Sequence, residues 1–280
     1  GANIVLDPLL IFGLGPIPGM GVAGAAIATV TAQFIVALVL VISMRRDPVL
    51  ASQMRVWIPT PLSNIKTMVR IGFPAAIQSM LYCTISMVLT RFVTAWGDTA
   101  VAVQRVGGQI ESISWMTADG FGTAINAFVG QNYGAGKRER IRRGMRDAVL
   151  SALIFCTVIS TLVVCFAKPL MSMFLDESSA DAVLVGAGYL RIEASFYFGI
   201  GLLFLFYGYF RAVNKPGISV ILTVVSLGMR VLLAYLLSSL EPLGVTGIWL
   251  SVPVGWILAD AAGVYFYGKT RAEEICRLSH

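Results

Sequence analysis

Nine polar or charged side chains interrupt one long apolar stretch: Gln104, Arg105, Gln109, Glu111, Ser112, Ser114, Thr117, Asp119 and Asn126. Gln104, Gly108, Glu111, Trp115, Gly122 and Asn126 recur at steps of three or four, or their sums, and so share a helical face. A charge at the centre of a lipid bilayer costs roughly 2.5–3.5 kcal/mol on insertion scales, so this face looks at water or at another helix. Glu111 and Asp119 stand about 12 Å apart along the axis. A carboxyl group in a low-dielectric cavity has a raised affinity for protons and can exchange a proton for a cationic substrate. The alternative for Glu111 is an ion pair with Arg105, or a bond to a backbone donor, that holds helices together. For Asp119 the alternative is close packing, since Gly120 and Gly122 flank it.

Gln78, Tyr82 and Ser86 follow Pro74 at steps of four, which makes them a second candidate wall. Proline removes a backbone bond one turn earlier and can bend the helix. A polar seam between helices fits the same residues. The run from Phe196 to Phe210 is rich in aromatics, whose faces attract organic cations; Tyr197 and Tyr207 are its cavity candidates. Arg191 and Glu193 are two apart, do not face each other, and are expected to snorkel at the outer interface. Arg230 lies inside an apolar run without an evident partner and is assigned a structural role.

Other chemistries lack their parts. The only histidine is His280, and Cys83, Cys156, Cys165 and Cys276 form no CxxC pair, so neither a metal site nor Ser/His/Asp catalysis is expected. Gly130–Lys137 has the look of a phosphate loop, but Arg138 follows where Ser or Thr belongs and Gln131 sits where the first glycine belongs. No enzyme, cofactor or ATP site is expected, and a pump would draw on an ion gradient.

The elements that position these residues follow from composition. The 280-residue chain is 57% hydrophobic and only 13% charged, about half the charged share of a soluble domain, which excludes disorder and a soluble coiled coil. Apolar runs at about 20–44, 71–96, 100–132, 146–174, 183–210, 217–240 and 244–267 are each long enough to cross a bilayer core of roughly 30 Å. Their all-round apolarity argues for helices over a barrel, and the expected fold is an all-α polytopic membrane protein. Ile4–Gly13 is too short to span and reads as the tail of a helix that begins upstream, not as a signal peptide.

The loops alternate in charge. Basic segments hold Arg45, Arg46, Arg55, Lys66 and Arg70; then Lys137 to Arg146; then Arg211 and Lys215; then Lys269, Arg271 and Arg277. The opposite loops carry Asp98, then Asp176, Glu177 and Asp181, then Glu241. The positive-inside rule puts the basic loops and the C-terminus in the cytoplasm of a multi-pass plasma-membrane protein, expected to be a bacterial inner-membrane one. The 137–146 cluster is taken as a cytoplasmic anchor, with a nucleic-acid or anionic-lipid patch as the other option. Gly21-Val-Ala-Gly24 and Gly244-Val-Thr-Gly247 each follow a proline-bearing loop (Pro16 and Pro18; Pro242) and open an apolar run. This repeat suggests two packed halves with a cavity between them.

Three stretches resemble the multidrug and toxic compound extrusion (MATE) transporters: Ile71-Gly-Phe-Pro74 with Gln78, Gly122 through Lys137, and Phe210-Arg-Ala-Val-Asn-Lys-Pro-Gly217. Asn3–Pro8 and Gly19–Ala26 look like the end of the family's fifth helix and the start of its sixth. The resemblance implies twelve helices in two six-helix lobes. Residues 1–44 would end the N-terminal lobe, 45–70 would be a cytoplasmic interlobe linker, 71–268 the C-terminal lobe and 269–280 a cytoplasmic tail. It also implies a secondary-active antiporter that exports cationic or amphipathic small molecules for H+ or Na+ by alternating access. The complete protein is then expected to be a monomer contacting lipid but no nucleic acid. An upstream stretch of roughly 170–200 further residues, with four to five more spans, would supply the missing part of the N-terminal lobe. The alternative within the superfamily is a lipid-linked precursor flippase, which would want a cationic cavity; Glu111 and Asp119 against Arg105 favour cations instead. Acidic positions of the NorM-type branch fall here near Tyr82 and Ile200, so either Glu111 or an upstream residue carries ion coupling.

Overall fold

The computed structural model describes residues 1–13, 18–48, 61–175 and 180–276. Pro16, Arg55, Asp176, Glu177, Arg277 and His280 lie outside these residues, as do positions 49–60 of the expected linker. Among the described residues every regular element is an α-helix. They are α1 (Ala2–Ile11), α2 (Gly21–Arg46), α3 (Leu62–Thr94), α4 (Asp98–Gly134), α5 (Arg138–Cys165), α6 (Ala167–Ser172), α7 (Ala180–Ala194), α8 (Tyr197–Ala212), α9 (Pro216–Ser238) and α10 (Gly244–Cys276). They fall into two units, one from Gly1 to Leu62 and one from Ser63 onward.

Helices α2, α3, α5, α9 and α10 are long and apolar enough to cross a membrane, and the bent pair α7–α8 makes a sixth candidate. Helix α4 has 37 residues, about 55 Å of axis, but its polar residues set it apart from the apolar group. Many large apolar side chains are exposed, among them Phe34, Leu38, Met80, Ile113, Leu150 and Tyr265. A water-soluble domain rarely shows contiguous apolar surface on this scale, whereas hydrocarbon solvates it. The chain is a multi-span membrane protein.

Several spans differ from the sequence pattern. Helix α3 begins at Leu62 rather than 71, and α10 runs on to Cys276 rather than ending near 267. The run 146–174 is not one helix: α5 stops at Cys165 and α6 follows. Pro169 has no N–H to offer the carbonyl one turn back, which favours the break there. The run 183–210 is two helices bent by 46°. At the bend the Ala194 carbonyl accepts a bond from the Ser160 hydroxyl of α5, and Ser195 Oγ donates to the Arg191 carbonyl over 2.6 Å. Side-chain hydroxyls that bond backbone carbonyls commonly bend helices.

Helix α8 is the centre of the second unit. Most of its residues from Tyr197 to Phe210 are buried, and it packs against α4, α5, α9 and α10. The α4–α8 crossing depends on glycine. A Cβ on Gly122 would stand 2.7 Å from the Phe204 carbonyl oxygen, and one on Gly208 would collide with the carbonyl of Gly122. Small residues at such crossings let backbones approach where lipid offers no hydrophobic drive.

The conspicuous motifs turn out to be helix stops. After α4, Gly136 adopts φ +70, its N–H reaches the Tyr133 carbonyl over 3.1 Å, and the Lys137 N–H reaches Asn132 over 2.8 Å. This pairing is a Schellman motif, so Gly136 ends a helix, and Gly130 and Gly134 lie within that helix rather than in a phosphate loop. After α8, Asn214 at φ 58 plays the same part, with Lys215 N–H bonded to the Phe210 carbonyl at 2.9 Å. Pro216 then opens α9. The glycine repeat is also structural. Gly21 and Gly244 both open helices at positive φ, +55 and +49. Three residues on, Gly24 abuts the Leu10 carbonyl and Gly247 the Leu237 carbonyl, each on the helix before it.

Candidate functional site

Two cavities adjoin inside the second unit. The larger, about 780 Å³, lies between α3, α4, α8, α9 and α10. Its walls include Gln78, Tyr82, Trp115, Asp119, Asn126 and Tyr207, all singled out from the sequence. Trp115 is its hub: its ring lies 5.2 Å from Tyr82, 5.7 Å from Phe204 and 6.4 Å from Trp256, centroid to centroid. Tilted and edge-on aromatic contacts of this kind are the preferred arrangement of such rings and hold one another in place. Tyr207 is held at the wall by another lining residue, its hydroxyl accepting from Thr223 Oγ1 at 3.1 Å.

The charge of this cavity differs from the expectation of an acidic wall. Among its described lining residues Asp119 is the one carboxyl group, and two guanidiniums, Arg211 and Arg230, line the same cavity. Arg211 is restrained, its Nη2 donating to Gln78 Oε1 at 2.6 Å. Arg105, the partner of Glu111 in the alternative reading, is exposed and lines a separate groove with Gln109. Arg105 and Glu111 stand six positions apart on α4, about 240° around the helix axis, which puts the two side chains on different sides of the helix.

The smaller cavity, about 200 Å³, takes Gln104, Glu111 and Ser86 from the sequence candidates. It adds Tyr189, Glu193, Arg230 and Trp249. Tyr82, Trp115, Arg230 and Trp256 belong to both cavities and form the wall between them. Glu111 is 6% exposed and Glu193 2% exposed. Glu193 therefore does not snorkel at an interface. The face Gly186, Tyr189, Leu190 and Glu193 packs inward against α4, α5 and α10, while Arg191 on the opposite side is exposed.

Buried polar atoms without a hydrogen-bond partner concentrate here: Gln104 Oε1, Glu111 Oε1, Glu193 Oε2, Trp249 Nε1, and Nε and Nη2 of Arg230. Native interiors leave few such groups, and each calls for an explanation, water or an ion among them. Arg230 interacts electrostatically with both carboxyls. It makes no direct ion pair with them: among the described residues, pairs within 4.0 Å all lie on the exposed start of α5, Glu139 with Arg142 and Arg143, and Arg146 with Asp147. With both carboxyls ionised the group carries one net negative charge. Among the described residues no three metal-ligating side chains gather.

Tyr197 is fully buried beside Ser114 and lines neither cavity. Asp260, not singled out in the sequence, has a buried Oδ1 without a partner one turn beyond Trp256. The signal for these missed residues was spacing: Trp249, Trp256, Asp260 and Gly263 recur at sums of three and four, as do Gly186, Tyr189 and Glu193. Flanking apolarity hid both patterns.

Comparison with known proteins gives the same frame. The model of the MatE family matches residues 74–236. The chain is 28% identical over 268 residues to the probable multidrug resistance protein NorM of Thermotoga maritima, covering 95% of this chain and 57% of the relative. It is 28% identical over 280 residues to a protein of Shewanella oneidensis described as an FAD transporter, covering 98% and 59%. Its fold matches an outward-facing multidrug resistance MATE family transporter with a TM-score of 0.88 at 25% identity, covering 99% of this chain and 61% of that one. The chain thus spans about three fifths of the length of these relatives.

Proposed function

Because the chain belongs to the MatE family, we propose that it supplies the C-terminal lobe, and the end of the N-terminal lobe, of a secondary-active exporter. Cationic or amphipathic aromatic compounds leave in exchange for H+ or Na+, by alternating access. The observation that supports this most directly is the pair of adjoining cavities: one large and aromatic, one small and acidic, sharing a single wall. The large one offers ring faces to a flat ligand. In the small one, Glu111 and Glu193 when both ionised exceed the charge of Arg230 by one, and a coupling ion neutralises that excess. Basic loops face the cytoplasm in this reading, following the positive-inside rule.

The test is ethidium efflux from a pump-deficient bacterial host that expresses the full-length gene, with an imposed pH or sodium gradient. Gradient-driven efflux is expected, with Glu111→Gln reducing it about tenfold. Efflux that ignores both gradients would remove the antiport reading, and unchanged efflux by Glu111→Gln would remove Glu111 from it.

A second reading is export of an aromatic anion. Arg211 and Arg230 in the large cavity favour it, as does similarity to a protein described as an FAD transporter. Competition by flavin nucleotides stronger than by ethidium would select it.

A further inference from the structure

Arg230 is the residue whose position is hardest to reconcile with passive packing. It is 6% exposed, two of its nitrogens are buried without a partner, and it belongs to the wall between the two cavities. Its Cζ lies 5.8 Å from the centre of the Trp256 ring, a cation–π seat. From that seat the guanidinium faces the acids of the small cavity and the ligand space of the large one. A buried charge without a direct counter-charge is costly, so its position follows whichever partner is nearest in charge.

We propose that Arg230 is a tethered cation that converts ion binding at Glu111 and Glu193 into expulsion of a cationic substrate from the large cavity. This rests on the exporter reading above. With both acids ionised, the guanidinium is drawn into the small cavity and leaves the aromatic wall free for a substrate cation. When the acids take a proton or Na+, Arg230 loses its attraction, turns about Trp256 and places its charge in the large cavity. Its charge then adds to that of Arg211 in the same low-dielectric space, where Asp119 offsets only one of the two, so the substrate cation is displaced. The substrate and the coupling ion then compete without touching the same side chains. The competition follows from differential interaction with two positions of one residue, as linkage requires.

The other groups around the acids support this assignment. Tyr82 from α3, Tyr189 from α7 and Tyr197 from α8 are the titratable neighbours, and none carries a positive charge. From α10 the small cavity receives Ile248, Trp249, Val252 and Trp256, none of them ionisable. Asp119 and Arg211 face the large cavity only. Arg230 is therefore the one cation that reaches both cavities among their described lining residues.

The experiment measures ethidium affinity of the purified full-length protein in detergent, in acidic and in alkaline buffer, for the wild type, Arg230→Gln and Arg230→Lys. Wild type is expected to bind about tenfold more weakly in acid. Arg230→Gln should bind equally well in both buffers, near the alkaline wild-type value, and Arg230→Lys should restore the difference. The double variant Glu111→Gln with Glu193→Gln should bind weakly in both, because the guanidinium is never drawn back. This variant decides the matter if Arg230→Gln fails to fold. An Arg230→Gln protein as pH-sensitive as wild type, or a double variant that binds tightly, overturns the proposal while leaving the exporter reading intact. A wild type that binds no ethidium in either buffer overturns both.

Discussion

Gln78 and Arg211 are joined by a 2.6 Å hydrogen bond that ties α3 to the end of α8 at the wall of the large cavity. The amide oxygen of one helix thereby fixes a guanidinium on another, over 133 residues of sequence separation. Removing the acceptor with Gln78→Leu should destabilise the fold by about 1 kcal/mol, the range of interhelical polar bonds in membranes. Thermal unfolding in detergent reads this. A melting temperature equal to that of wild type would mean that the bond contributes nothing measurable.

The glycine crossing of α4 and α8 should tolerate no side chain. Gly208→Ala puts a methyl group against the Gly122 carbonyl, and Gly122→Ala puts one against that of Phe204. Each should cost about 1–3 kcal/mol through overpacking. The measurement is the monodisperse fraction on size-exclusion chromatography, with Gly120→Ala as the control because open space surrounds it. Equal yields from all three variants would contradict the packing described here.

Trp115 touches Tyr82, Phe204 and Trp256, so its loss removes the hub of the aromatic wall. Trp115→Ala should weaken ethidium binding by about 1–2 kcal/mol, roughly five- to thirtyfold. Trp115→Phe should recover most of it. Affinity unchanged in Trp115→Ala would place the ligand elsewhere.

Cysteine accessibility offers a test without mutating the wall. Cys83 is exposed and lines the large cavity, whereas Cys156 is buried against Gly201. In a background with Cys165→Ser and Cys276→Ser, a small maleimide should label Cys83 and spare Cys156. Saturating ethidium should slow that labelling several-fold. Labelling at an unaltered rate would argue that ethidium does not occupy this cavity.

Glu193 and Arg191 stand two residues apart and should behave oppositely. Glu193→Gln is expected to cut gradient-driven ethidium efflux about tenfold. Arg191→Gln, on the exposed face, should leave efflux within about twofold of wild type. Equal effects from the two substitutions would return Glu193 to the interface role that its sequence neighbourhood suggests.

The sequence by itself determined the solvent, the helical class and the family, because these follow from local quantities. Apolar runs of bilayer length need no tertiary information to be seen, nor do the motifs at 122–137 and 210–217. It also marked Gln78, Tyr82, Trp115, Asp119, Asn126 and Tyr207, whose polarity or aromatic character stands out against aliphatic neighbours.

Tertiary structure alone decided which charges meet. Glu111 faces Glu193 and Arg230, which lie 82 and 119 positions away, rather than the nearby Arg105. The reason is physical: helical periodicity fixes which residues share a face, but not which face of another helix it meets. The 46° bend between α7 and α8 was equally hidden, since it lies where a hydroxyl from α5 bonds the Ala194 carbonyl across the bundle. Such contacts form across the bundle, where sequence distance carries no information about distance in space.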